Sequence, residues 1–226
     1  MAKPNRRPNL ERKIPRGDAY RLRGELRLQR PFVERFGKVI SWIRFDPKTG
    51  NYSDGEYKYG FGTKSKWAYG GKTLELSLFR IYKRNRIRFA TTPIFLVDPF
   101  ADLSDLKAIH QSMSGVHSME ELKGKDVWLP ILTIEAIKKD KPQTRVKHGR
   151  RGVLPAYMDF LRRAGAKSLV GMVEVPLLVA YHLALGSKIV EHVGSKTVGL
   201  GERDNALTEY WIVKNDLTNF KLEEWK

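Results

Sequence analysis

Residues 73–89 read TLELSLFRIYKRNRIRF, and this stretch decides the fold class. Apolar and aromatic side chains recur through Thr73–Tyr82 and Arg86–Phe89, as is typical of strands. The polar triplet 83–85 between them suits a turn. The stretch therefore predicts two strands joined by a short connection.

Further strands are predicted on both sides of this pair. Residues 20–28 alternate apolar and charged side chains, which is typical of a half-buried strand, and apolar runs at 39–45 and 55–61 predict two more. Residues 46–50 read DPKTG and suit a turn. The first hundred residues are therefore predicted to be mostly β.

After residue 99 the apolar period becomes helical. Helices are predicted at 103–113, 155–163, 176–185 and 187–192, and strands at 127–134, 168–175 and 208–213. Ser118 and Glu121 have the spacing of a capping box. The fold class predicted is α+β, with a strand-rich N-terminal half and a helix-richer C-terminal half. Residues 1–18 are predicted to be a basic flexible arm, and 19–226 one nucleic-acid-binding domain with 98–153 as a possible insertion.

The charge of the chain is large and unevenly distributed. It has 42 Lys and Arg residues against 25 Asp and Glu, a net charge of +17, yet residues 90–137 carry seven acids against three lysines. Such segregation favours a surface that binds a polyanion, with nucleic acid ahead of a membrane surface. The absence of cysteine excludes thiol catalysis, and no apolar run in the sequence could span a bilayer. We expect a cytoplasmic protein without a membrane partner.

Two segments are the first candidates for contact with RNA. Lys64, Lys66 and Trp67 lie in a predicted polar loop flanked by glycines, where cations and a flat ring could hold a single strand. A second, more basic loop is predicted over residues 138–152. Its arginines could bind phosphate and its glycines could let the backbone approach, and the residues of interest are Arg145, Lys147, His148, Arg150 and Arg151. A solvated loop with no ligand is the alternative for this segment.

Three other functions stay open from the sequence, one of them a ribosome-associated protein that would copurify with ribosomal RNA. A Mg²⁺-dependent nuclease could use Asp46, Glu56 and Lys58, although a hairpin with a polar tip accounts for the same residues. Two helices at 176–192 followed by strands could form a winged-helix DNA-binding protein. The sequence predicts no catalytic residue, no metal site and no cofactor.

The block that follows the predicted helix 187–192 carries a family resemblance. Gly194, Gly199-Leu200-Gly201 and a strand containing Trp211 resemble the glycine-rich loop of the CRISPR-associated RAMP superfamily, and Arg30-Pro31-Phe32 resembles the end of its opening strand. Glu202 departs from the pattern, since a basic or small residue is expected there. The match covers about fifty residues.

The resemblance implies a ferredoxin-like core of the RNA-recognition-motif type, and Lys196, Gly199 and Gly201 near a guide RNA. The most similar member of the superfamily is the subunit that caps the five-prime handle of the CRISPR RNA. We therefore expect a noncatalytic subunit of a ribonucleoprotein in antiviral defence, with single-stranded RNA, as guide RNA, and other protein subunits as its partners.

Overall fold

The structure, a computed structural model, describes residues 43–55, 57–82, 84–103, 105–130, 132–134, 149–174, 176–197 and 207–222. The predicted arm at 1–18, the strand predicted at 20–28 and most of the run at 39–45 lie outside these residues. The fold is α+β and contains two six-stranded sheets.

The first sheet is antiparallel throughout and follows the order β1-β2-β3-β4-β5-β9. Its strands are β1 (Arg44–Asp46), β2 (Asn51–Ser53), β3 (Lys58–Ala68), β4 (Gly71–Tyr82), β5 (Asn85–Pro93) and β9 (Thr133–Ile134). The predicted turn at 46–50 is confirmed, since the Gly50 amide donates to the Asp46 carbonyl over 2.9 Å. The strand predicted at 73–82 is also confirmed.

The second sheet follows the order β11-β12-β10-β8-β6-β7. Its strands are β6 (Phe95–Val97), β7 (Ser114–Gly115), β8 (Asp126–Trp128), β10 (Ser168–Val173), β11 (Lys188–Thr197) and β12 (Leu207–Asp216). β8 and β10 are parallel, while the other neighbours are antiparallel. A parallel pair needs a long crossover between its strands, and a helix supplies it here.

Three α-helices and two 3₁₀ turns are described: α1 (Leu106–Ser112), α2 (Gly149–Arg163), α3 (Pro176–Ala184), and the turns Met119–Leu122 and Leu217–Asn219. The predicted capping box is confirmed, because the Ser118 amide donates to Glu121 Oε1 over 3.0 Å. The helix predicted from residue 155 begins earlier, at Gly149, so Pro155 lies within α2.

The main hydrophobic core lies between α2 and the first sheet. The Phe61 and Phe160 rings stack with centroids 4.3 Å apart, and the Tyr157 hydroxyl donates to the Leu76 carbonyl over 3.1 Å. The carboxylate of Asp159, fully buried, accepts a hydrogen bond from the Tyr52 hydroxyl of β2 over 2.9 Å. These contacts fix α2 against the sheet.

Two predicted elements are wrong. Residues 64–67, predicted as a loop, belong to β3, which pairs with β4 along its whole length. The helix predicted at 187–192 is part of β11, which pairs with β12 and places His192 opposite Trp211. A ferredoxin-like core is not confirmed, and the C-terminal half contributes strands as well as helices, so a helix-richer half is not shown. Within the described part of the chain, no helix is long and apolar enough to cross a membrane.

Candidate ligand-binding site

The parallel strands β8 and β10 and the crossover helix α2 form one unit of the fold. β8 pairs with the first half of β10, so that Asp126, Val127 and Trp128 lie opposite Ser168, Leu169 and Val170. In sheets with parallel strands, ligands bind beyond the carboxyl ends of the strands, where neighbouring strands part. The carboxyl ends of β8 and β10 are therefore the candidate position for a ligand-binding site.

A partly buried carboxylate lies at the amino ends of β8 and β10. Asp126 of β8 accepts a hydrogen bond from the Ser168 hydroxyl of β10 and another from the Lys214 ammonium of β12, both over 2.7 Å. Burial opposes ionisation of the Asp126 carboxyl, but the Lys214 and Ser168 hydrogen bonds outweigh it and lower its pKa. The amino ends of the strands are thus held together by charge as well as by the backbone ladder.

The two strands part after residue 129. The Leu129 amide still donates to the Val170 carbonyl over 3.3 Å, but Pro130 has no N–H to continue the ladder. The chain then crosses to the first sheet, where Thr133 and Ile134 form β9 and pair with β5. Among the described residues, no ladder joins β9 to residues 171–173 of β10. We call the space between β9 and residues 171–173 the strand opening.

The strand opening has room beside Gly171. Among the described residues, a Cβ added at this glycine would find only Val213 Cγ2 within 4 Å, at a distance of 3.9 Å. Gly171 adopts an ordinary strand conformation, so neither backbone geometry nor packing of the described residues requires a glycine here. On the same face of β10, Leu169 and Val173 belong to different hydrophobic clusters, and Gly171 lies where these clusters meet.

The N-terminus of α2 is the end of the helix that is remote from the amino end of β10. In a parallel crossover the helix runs opposite to the strands it connects, which places its first turn toward their carboxyl ends. The first turn of a helix presents backbone N–H groups without helical acceptors, together with the positive end of the helix dipole. Its sequence here is GRRG, residues 149–152, which adds two arginines. This terminus is suited to an anionic group.

The first group of predicted site residues is divided by the structure. Lys64 and Lys66 lie on one face of β3 and bind the Glu75 carboxylate, whereas Trp67 points to the other face, opposite Lys72. The Trp67 side chain is 72% exposed. The interpretation of these three residues as one RNA contact in a loop is wrong in its geometry, because successive strand residues alternate between faces.

The other predicted contacts can be placed only in part. Arg150 and Arg151 belong to the first turn of α2 rather than to a loop, and Lys196 belongs to β11. Arg145, Lys147, His148, Gly199 and Gly201 lie outside the described residues. Contact of these residues with RNA stays a prediction, as do single-stranded RNA and other protein subunits as partners.

Neither the winged-helix nor the nuclease alternative is supported. The recognition helix of the winged-helix hypothesis was to be residues 187–192, and these residues are in β11. Glu56, on which the nuclease hypothesis depends, lies outside the described residues. In the part of the chain that the structure describes, no three Asp, Glu, His or Cys side chains are grouped so that they could hold a metal ion.

Comparison with known proteins gives two named structural neighbours. No protein-family model and no curated protein matches the chain. The N-terminal domain of ribosomal-protein-alanine acetyltransferase from Clostridium acetobutylicum ATCC 824 is 16% identical, with a TM-score of 0.35 over 73% of this chain and 95% of that one. A Salmonella typhimurium protein described as an acetyltransferase, solved with its cofactor acetyl-CoA, is 13% identical, with a TM-score of 0.35 over 67% of this chain and 70% of that one.

The prediction of a noncatalytic guide-RNA-binding subunit of a CRISPR ribonucleoprotein is wrong. Both neighbours are described as acetyltransferases, and nothing found supports a CRISPR, RAMP or antiviral role. The structure adds a physical reason, since the resemblance needed a helix before the glycine block and β11 stands there instead. TM-scores of 0.35 establish neither the fold nor the activity of this chain.

The strand opening was not predicted from the sequence. A usable signal was present: an apolar run interrupted by Pro130, a helix preceded by glycines and arginines, and a second apolar run at 168–173. This order of strand, helix and strand is typical of a parallel crossover, in which the basic segment precedes the helix at the ligand side.

Proposed function

We propose that the chain binds an extended, phosphate-bearing small molecule in the strand opening. The observation that carries the proposal is the separation of β9 from β10 beyond residue 129: residues 171–173 pair with β12 on one side, and among the described residues no strand pairs with them on the other side. Backbone N–H and C=O groups at a strand edge can bond to an extended ligand as they would to another strand.

The two ends of such a ligand bind to different parts of the site. Its phosphate groups bind at the first turn of α2, where the backbone N–H groups and the positive dipole end favour negative charge. Its uncharged, amide-containing part lies along residues 171–173, and the room beside Gly171 accommodates its bulk. The ligand class is therefore a phosphate-bearing coenzyme rather than free phosphate.

Acetyl-CoA is a coenzyme of this class, because it joins phosphate groups to an extended arm that contains amides. The experiment is a calorimetric titration of the full chain with acetyl-CoA, ADP and pyrophosphate. We expect acetyl-CoA to bind most tightly, since it alone supplies both the phosphates and the extended arm. Equal affinity for acetyl-CoA and ADP would contradict the role given to residues 171–173.

Substitution of Gly171 separates ligand binding from folding. Gly171→Val places a branched side chain in the strand opening, so acetyl-CoA should bind at least about tenfold more weakly, or about 1.4 kcal/mol. The melting temperature should stay the same or rise, because valine favours strands and has room here. Met172→Val, on the opposite face of the same strand, is the control and should bind acetyl-CoA normally. Unchanged binding by Gly171→Val would refute the proposed position of the ligand.

A further inference from the structure

Several cationic side chains of β3 and β5 share one face of the first sheet. Lys64 and Lys66 lie on β3, and Arg86 and Arg88 lie on β5, with β4 between them. We call these four residues the cationic face. At its centre is Glu75 of β4, whose side chain is only 3% exposed.

Glu75 orders three of the four cations. Its carboxylate lies 3.2 Å from Lys64 Nζ and 3.9 Å from Arg88 Nη1, and it also accepts a hydrogen bond from Lys66. Burial raises the pKa of this carboxyl, but the hydrogen bonds from Lys66 and Lys64 prevail and lower it. The three cations remain 41% to 59% exposed, so they can still bind an external anion.

The fourth cation is also held in place. Arg86 Nη2 donates to the Phe61 carbonyl over 3.2 Å, and the guanidinium carbon lies 4.5 Å from the centroid of the Phe79 ring. Together, these four cations and Glu75 give this surface a net charge of 4 − 1, or +3. Side chains ordered in advance lose less conformational entropy when a partner binds.

The distribution of aromatic rings indicates which polyanion fits. Single-stranded nucleic acid is bound by cations together with exposed rings on which its bases stack. Among the described residues of the cationic face no ring is exposed, since Phe79 is half-buried beneath Arg86 and Trp67 lies on the opposite face. An acidic polypeptide needs no stacking surface, and arginine and lysine both pair with carboxylates.

We propose that the cationic face binds an acidic polypeptide segment of a partner protein. This surface is separate from the strand opening and requires no coenzyme. Lysines at i and i+2 of an extended strand lie on the same face and can pair with successive carboxylates of an extended acidic segment. The interaction is mainly electrostatic, so it should weaken as salt is added.

The test measures fluorescence anisotropy of a labelled poly-glutamate peptide with the full chain at low salt. In the test variant the four cations and Glu75 are all replaced by Gln, which removes three net charges and leaves no unpaired buried carboxylate. The control variant replaces Lys107, Lys123 and Lys125 by Gln and removes the same net charge elsewhere. We expect at least about tenfold weaker binding for the test variant and less than about threefold for the control.

A second variant guards against loss of folding. Arg86→Glu changes one cation that does not contact Glu75, and it should weaken poly-glutamate binding without lowering the melting temperature appreciably. Equal losses in the test and control variants would overturn the proposal, because they would reflect net charge alone. It would also be overturned if the wild-type chain bound a single-stranded RNA more tightly than poly-glutamate and the test variant lost that RNA binding.

Discussion

The buried carboxylate of Asp159 should be a main determinant of stability. Besides the Tyr52 hydroxyl, it binds Arg162 Nη2 over 2.8 Å and Arg163 Nε over 2.7 Å, so that it joins α2 to β2. Removal of one partner from a fully buried ion pair costs about 3–5 kcal/mol. Both arginines are 30% exposed and can be solvated in part, so we expect Asp159→Asn to cost roughly 2–3 kcal/mol.

This cost can be measured by thermal and urea unfolding. For a chain of this length, 1 kcal/mol corresponds to a shift of about 2–4 °C in melting temperature, so Asp159→Asn should melt roughly 5–10 °C lower. Glu174→Gln, at an exposed carboxylate, is the control and should change stability by less than about 0.5 kcal/mol. If Asp159→Asn melted within about 2 °C of the wild type, the network would not hold α2 in place as described.

Two further predictions concern packing and pH. Gly115→Ala should destabilise the fold by more than about 2 kcal/mol in urea unfolding, since its Cβ would lie 2.1 Å from the Lys72 carbonyl oxygen. Gly71→Ala is the control and should be neutral within about 0.5 kcal/mol, because no described atom lies within 4 Å of its Cβ. Burial lowers the pKa of His182 to about 4, so the folded state favours the neutral ring, and stability should be complete above about pH 6.5 and fall as pH drops toward 4. His182→Gln should reduce this fall in urea unfolding curves measured from pH 7 to 4, and an identical pH profile would count against buried His182 as its source.

Local sequence patterns predicted the elements whose residues carry their own signals. The strand at 73–82, the turn at 46–50 and the capping box at Ser118 follow from side-chain alternation, Pro and Gly positions, and the Ser–Glu spacing. Each of these depends on residues that are close in sequence. These elements can therefore be predicted without knowledge of the rest of the fold.

The wrong predictions share a dependence on distant pairing. Residues 63–67 are exposed on both faces of β3, so no apolar period marks them, and their pairing with β4 makes them a strand. Residues 187–192 form a short, partly apolar segment, and such a segment is compatible with either a helix or a strand. Its pairing with β12 makes it a strand.

The strand opening was not predictable from local pattern alone. It depends on which strand each half of residues 126–134 joins, and the two halves join different sheets. Pro130 gave only the position at which a ladder bond is lost. The charge distribution was interpreted as a surface for nucleic acid, but charge alone does not distinguish a polymer from a small phosphate-bearing molecule.

The most direct test of the proposed site is amide hydrogen exchange with and without saturating acetyl-CoA, measured residue by residue on the full chain. The Met172 amide should exchange more slowly when acetyl-CoA is bound, because its N–H lies on the same edge of β10 as the Val170 carbonyl that bonds Leu129, and the ligand occupies that edge. The amides of β3, which is three strands away from β9 in the first sheet, should be unchanged. Saturable binding without added protection of the Met172 amide, or with protection at β3 instead, would contradict the central claim.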